Sequence, residues 1–237
     1  MSTFGIIAEF IHGPYHLWFL YSLAGLYLLT PILRKAAADG KTLAYFLIMF
    51  AAVNVVTQYL IYVPKIGGMI SDFIERTGLR VVTGYMGYFM LGYFLYSKKD
   101  NMSKKTETAI YVIGILMLIA TIAAECFISE ELRKTDFVKQ YMKPNVILYS
   151  AAIYTFFVMK MSKIHYSERT RKVFAVFTEC GFGVYCIHAI LNEFVPTPVI
   201  KSLPFTTSLL RVACLYALSL ALTWLIRKIP FVGKKIT

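Results

Sequence analysis

This 237-residue chain lacks any polar stretch long enough to fold by itself. Its largest loops, Pro64–Gly78 and Ser129–Pro144, are too short for an independent domain, and no low-complexity linker or convincing internal repeat divides it. Charged residues make up only 16% of the chain and the mean hydropathy is +0.61, which excludes an ordinary soluble globular domain. Polar–apolar alternation is missing too, and that argues against a transmembrane barrel. The four cysteines, Cys126, Cys180, Cys186 and Cys214, include no close pair. They therefore suggest neither a metal site nor a disulfide framework, and read as small packing residues. The tail Met1–Tyr15 carries no Lys or Arg and no small-residue cleavage site, so it does not read as a signal peptide.

What fills the chain instead is a series of seven apolar runs: Leu17–Leu33, Leu43–Val63, Leu79–Tyr96, Ala109–Ile128, Asn145–Met161, Val173–Val195 and Ser208–Ile226. A hydrocarbon core of about 30 Å takes roughly 20 apolar helical residues to cross. Backbone groups in lipid must be satisfied within the segment, so the spans are expected to be helices. The expected fold is an all-α, polytopic transmembrane helix bundle of about seven spans, with residues 1–237 forming one domain.

Basic residues exceed acidic ones, 25 to 13, and their placement matters more than their number. Alternate loops beginning at Arg34 (Arg34–Thr42, Ser97–Thr108, Lys160–Lys172 and Arg227–Thr237) hold 16 basic and four acidic residues. The opposite set holds nine basic residues, nearly cancelled by acids. The positive-inside rule puts the first set in the cytoplasm, with the amino terminus outside and the carboxyl terminus inside. Nucleic acid is not needed to explain the excess.

Ionisable groups inside spans are costly and are functional candidates by default. In Val173–Val195, residues Gly181, Tyr185, His188 and Asn192 share one helical face, while Glu179 and Glu193 lie opposite. Counting ~1.5 Å per residue, His188 sits roughly 22 Å from the cytoplasmic end. A neutral histidine satisfied by one interhelical hydrogen bond is the plain account; a general base or acyl-handling imidazole is the functional one. Glu179 either pairs with a basic residue, stays protonated or joins a reaction path. His16 and Trp18 open the first span at the outer interface, where an aromatic belt is ordinary, but His16 falls near the depth of His188. Pro31 reads as a helix terminator or kink. Asn54 and Gln58, four apart, suggest interhelical hydrogen bonds. The glycines of the third span suggest close helix packing, and Arg80 at its outer end is a candidate for an anionic sugar or lipid phosphate. The cluster of Lys160, Lys163, Arg169, Arg171 and Lys172 suits either coenzyme A phosphates or anionic headgroups.

Three stretches together resemble the acyltransferase-3 family of membrane enzymes, which acylate sugar hydroxyls. They are His-Leu-Trp-Phe-Leu-Tyr…Gly-Leu-Tyr-Leu-Leu-Thr-Pro (His16–Pro31), Gly-Tyr-Met-Gly-Tyr-Phe-Met-Leu-Gly-Tyr-Phe-Leu (Gly84–Leu95) and Gly-Phe-Gly-Val-Tyr-Cys-Ile-His (Gly181–His188). The first looks like the branch that O-acetylates surface polysaccharides. Family members typically have about ten spans, with an Arg-Gly-x-Ala…His pattern in early helices that is not found here. The chain therefore looks like the last seven spans of such an enzyme. The resemblance implies acyl transfer, with acetyl-CoA or another acyl-CoA as donor, to a cell-surface or lipid-linked glycan. It also implies a multi-pass protein of the bacterial inner membrane, in contact with membrane lipid. On that reading His188, His16 and Glu179 are the catalytic candidates and Tyr185, Asn192, Trp18 and Arg80 the substrate-binding ones. Lys163, Arg169, Arg171 and Lys172 are candidates for the donor, and no metal is expected.

Two readings compete. A transporter or flippase of a lipid-linked sugar would use the polar residues as a path, but inverted repeats and paired broken helices are not evident. An inactive truncated remnant is the other. A retinal protein is disfavoured because the last span has no mid-membrane lysine.

Overall fold

The computed structural model describes residues 15–79, 84–130, 137–194 and 204–229. Among these the secondary structure is helical, with no strand. Eight α-helices follow one another: α1 (Trp18–Ala38), α2 (Gly40–Gln58), α3 (Gly67–Arg76), α4 (Tyr85–Lys98), α5 (Lys104–Phe127), α6 (Pro144–Met159), α7 (Glu168–Phe194) and α8 (Pro204–Arg227). Among the described residues five segments are long and apolar enough to cross a membrane: Gly40–Tyr62, Lys104–Phe127, Pro144–Lys163, Glu168–Phe194 and Leu209–Arg227. Each coincides with one expected span. The run Leu17–Leu33 lies in α1 from Trp18 onward. Of the run Leu79–Tyr96, residues 80–83 lie outside the described residues, and α4 starts at Tyr85 after Gly84, whose φ is +90°.

Local chemistry sets several helix starts. Asp39 accepts from the backbone N–H groups of Lys41 and Thr42, at 3.4 and 2.9 Å, and so caps α2. These bonds, led by the Thr42 hydroxyl at 2.6 Å, hold the Asp39 carboxyl below its ordinary pKa. Ser103 caps α5 through Thr106 N–H at 3.1 Å, and Pro144 occupies the first turn of α6, where its missing N–H costs nothing. Pro31 does not end its helix: α1 runs on for seven residues beyond it, to Ala38.

The chain divides into two compact units, Met1–Tyr21 with His165–Thr237, and Ser22–Ile164. In the second, Leu33, Ala37, Leu43 and Met90 form a buried cluster. Close approach depends on missing side chains. A Cβ on Gly114 of α5 would lie 2.2 Å from the Ala152 Cβ of α6, and one on Gly87 would lie 2.0 Å from the Phe50 ring. Asn145 joins three segments by accepting from the Tyr59 hydroxyl (2.9 Å) and donating to Thr121 Oγ1 (2.8 Å) and the Val138 carbonyl (3.0 Å). Asn54 is fully buried, but its amide donates to the Phe50 carbonyl of its own helix at 2.8 Å instead of crossing to another. The carbonyl one turn back in a helix keeps a second lone pair within reach of a short amide.

Polarity is distributed as lipid requires. Leu28, Ile32, Ile48, Ile119, Phe157 and Leu225 face outward, whereas Asn54, Thr155, Ser219 and Thr223 are almost completely buried. Thr155 and Ser219 return their hydroxyls to the carbonyls four residues earlier. A water-soluble protein shows the opposite arrangement.

Candidate active site

The first unit brings two histidines together. His16 lies in the short 3-10 turn Tyr15–Leu17 that leads into α1, and His188 lies five turns into α7. Their rings meet edge to face, with centroids 5.9 Å apart. Tyr185, one turn before His188, donates its hydroxyl to the His16 carbonyl and fastens the turn to α7. Phe19 packs edge-on against the Tyr185 ring at 6.2 Å, closing the aromatic wall.

The His188 Nδ1 lies 2.6 Å from the Tyr185 carbonyl oxygen. A carbonyl only accepts, so Nδ1 is the donor here, and in a neutral imidazole that arrangement leaves the lone pair on Nε2. That is the tautomer of a general base. The His16 imidazole, half-buried in its turn, lies beside it.

Other candidates have definite partners. Glu179 forms an ion pair with Arg227 of α8 at 2.7 Å, and the same guanidinium donates to Cys180 Sγ at 3.7 Å. Of the alternatives left open for Glu179, the structure shows pairing. The Asn192 side chain is exposed, while its carbonyl accepts from Arg211 of α8 at 3.3 Å. Gly183 packs on Thr223, where an added Cβ would come 2.3 Å from Cγ2. Trp18 is about one-third exposed and stands edge-on to Phe19 at 6.0 Å. Arg80 lies outside the described residues.

The basic cluster expected to meet the donor is exposed. Arg169, Arg171 and Lys172 are exposed in the first turns of α7, where Lys172 pairs with Glu168 at 3.5 Å. Exposed as that pair is, it adds little stability. In the second unit, Lys163 is exposed and Lys160 is held by Glu107 at 2.7 Å. No group of three or more possible metal ligands occurs among the described residues.

Sequence reasoning missed Arg227 and Arg211, both of which reach back to α7 from the facing helix. The visible signal was an arginine at each end of one apolar run. It also missed Lys143, fully buried at the start of α6. Its ammonium lies 3.9 Å from the Phe137 ring centroid and 4.8 Å from that of Tyr59, and donates to the Gln58 carbonyl at 2.6 Å.

The helices define a multi-pass, all-α membrane protein in which two imidazoles meet. The family model described as an acyltransferase domain matches residues 3–228, which spans both units, and the chain belongs to the acyltransferase-3 family. No curated protein and no solved structure matches it.

Proposed function

We propose that the chain is a membrane O-acyltransferase that moves an acyl group, most simply acetyl, from acyl-CoA to a hydroxyl of a cell-surface or lipid-linked glycan. The observation that carries this reading is the His188 tautomer, fixed by the Tyr185 carbonyl beside His16. His188 Nε2 accepts the hydroxyl proton as the sugar oxygen attacks the thioester carbonyl. The carbon–sulfur bond then breaks, and the departing thiolate recovers that proton from the imidazolium. Tyr185 keeps His16 and His188 together, and His16 supplies a second proton-accepting site. The exposed Arg169, Arg171 and Lys172 suit the phosphates of the donor, and the ion-paired Glu179 holds α7 to α8.

The charge distribution supports a bacterial inner-membrane location with the amino terminus outside and the carboxyl terminus cytoplasmic. Lipid and a glycan acceptor are the expected partners. The test is transfer of labelled acetyl from acetyl-CoA to glycan by the protein in proteoliposomes. His188→Ala is expected to cut the rate by about 100-fold or more, with an unchanged thermal midpoint. Equal rates in variant and parent would remove His188 from the mechanism.

A further inference from the structure

A furrow of about 550 Å³ runs between α5 and α6 in the second unit. Its floor is the close helix contact at Gly114 and Ala152, where no bulky side chain stands. Its walls are exposed apolar side chains: Ile115 and Leu118 on α5, and Ile153, Phe156 and Phe157 on α6. One end closes on Tyr111 and on Lys160, the residue after α6. We propose that this furrow holds one acyl chain of an anionic phospholipid, with the lipid phosphate on the lysines at that end.

Three features carry the assignment. The first is the division of the furrow into an apolar length and a basic end, which is the division of an anionic lipid. The second is reach. From Tyr149 to Lys160 the helix rises about 16 Å at ~1.5 Å per residue, about half of a hydrocarbon core of roughly 30 Å. The furrow therefore covers one leaflet, the depth of a single acyl chain whose head lies at the membrane surface. The third is charge. Lys104 lies on the stripe of α5 that also carries Glu107, Tyr111 and Leu118, and Lys163 ends the 3-10 turn that follows Lys160. Lys104, Lys160 and Lys163 are all exposed. Three ammonium groups against the one carboxylate of Glu107 leave this end positive. Each lysine near an anionic headgroup is worth about fivefold in affinity, which a zwitterionic headgroup does not gain.

The basic end is held in place before any lipid arrives. Glu107 grips the Lys160 ammonium at 2.7 Å across the helix pair. Glu107 is buried and also accepts from the Tyr111 hydroxyl at 3.0 Å. An ammonium has three donors, so Lys160 keeps two for a phosphate. Such preorganisation lowers the ordering cost of binding. It also separates this site from the ordinary lipid-facing surface, where a chain finds apolar contact but no fixed partner for its head. The binding does not rest on the reaction proposed above, since the furrow belongs to the second unit and the two imidazoles to the first.

The test titrates the full chain in detergent with dioleoyl phosphatidylglycerol and, separately, dioleoyl phosphatidylcholine, and counts retained lipids by native mass spectrometry. One phosphatidylglycerol is expected to bind at least tenfold more tightly than phosphatidylcholine. The double variant Lys104→Gln with Lys163→Gln should weaken phosphatidylglycerol about tenfold or more and leave phosphatidylcholine unchanged. Ile153→Trp, which fills the furrow from an exposed position, should weaken the retained lipid tenfold or more. The lysine variant alters only exposed side chains, so it serves should Ile153→Trp fail to fold. Equal affinity for the two lipids overturns the proposal, as does unchanged phosphatidylglycerol binding in either folded variant. Displacement of the lipid by inorganic phosphate would show that the furrow plays no part, and tighter retention of palmitoyl-CoA would reassign it to a thioester; either result also overturns the proposal.

Discussion

Replacing Gly114 by alanine adds one methyl group to the contact between α5 and α6. The new carbon would sit 2.2 Å from the Ala152 Cβ, whereas two such carbons rest at about 3.5–4.0 Å. The missing distance of about 1.5 Å cannot be absorbed by a rotamer, since neither methyl has one. The helices must part. Overpacking of this kind costs about 1–3 kcal/mol, and a rigid neighbour places it at the upper end. Removing a glycine from a helix interior returns about 1 kcal/mol. The net loss is therefore about 2 kcal/mol, or a fall of about 4–8 °C in thermal midpoint for a chain of this size. Thermal unfolding in detergent, followed by helical circular dichroism, reads it directly. Combining Gly114→Ala with Ala152→Gly moves the methyl across the interface, and the pair is expected to couple favourably by about 1–3 kcal/mol. A stabilised single variant, or strictly additive effects, would refute the close approach of the two helices.

Two further outcomes follow from the charges. Burial lowers the Lys143 pKa below the ordinary 10.5. As pH rises toward 10.5 the unfolded chain then holds more protons than the folded one, so this residue makes stability climb with pH in that window. Lys143→Met should flatten the climb in denaturation midpoints, and an identical pH slope in both proteins would contradict the burial argument. Glu179→Gln should lower the thermal midpoint more than Lys172→Met does. The first breaks a short ion pair with a largely covered guanidinium, while the second breaks a pair about four-fifths exposed on both sides. The reverse order would mean the Arg227 pair does no structural work.

Span positions were readable because uninterrupted apolar runs have one stable outcome in lipid, a helix. The meeting of His16 and His188 was partly readable, since depth along two helices is additive from the sequence. What hydropathy does not carry is the backbone geometry of single residues. Gly84 at φ +90° precedes the first residue of α4, and Pro31 rides inside α1 though proline ordinarily interrupts a helix. Lys143 was counted only as one loop charge, because the rings around it come from positions 59, 62 and 137 and meet only in the folded chain. Asn54 was expected to bridge helices, but its amide donates to a carbonyl one turn back in its own helix, which has a second lone pair to offer.

Tyr185 grips the backbone of residue 16 and ignores its side chain. The fastening between turn and helix is thus indifferent to what residue 16 is. Position 16 can be swept through many amino acids while the joint stays closed, so a library there would sort side chains by chemistry with little interference from folding. Position 185 offers no such freedom, because the hydroxyl is the latch.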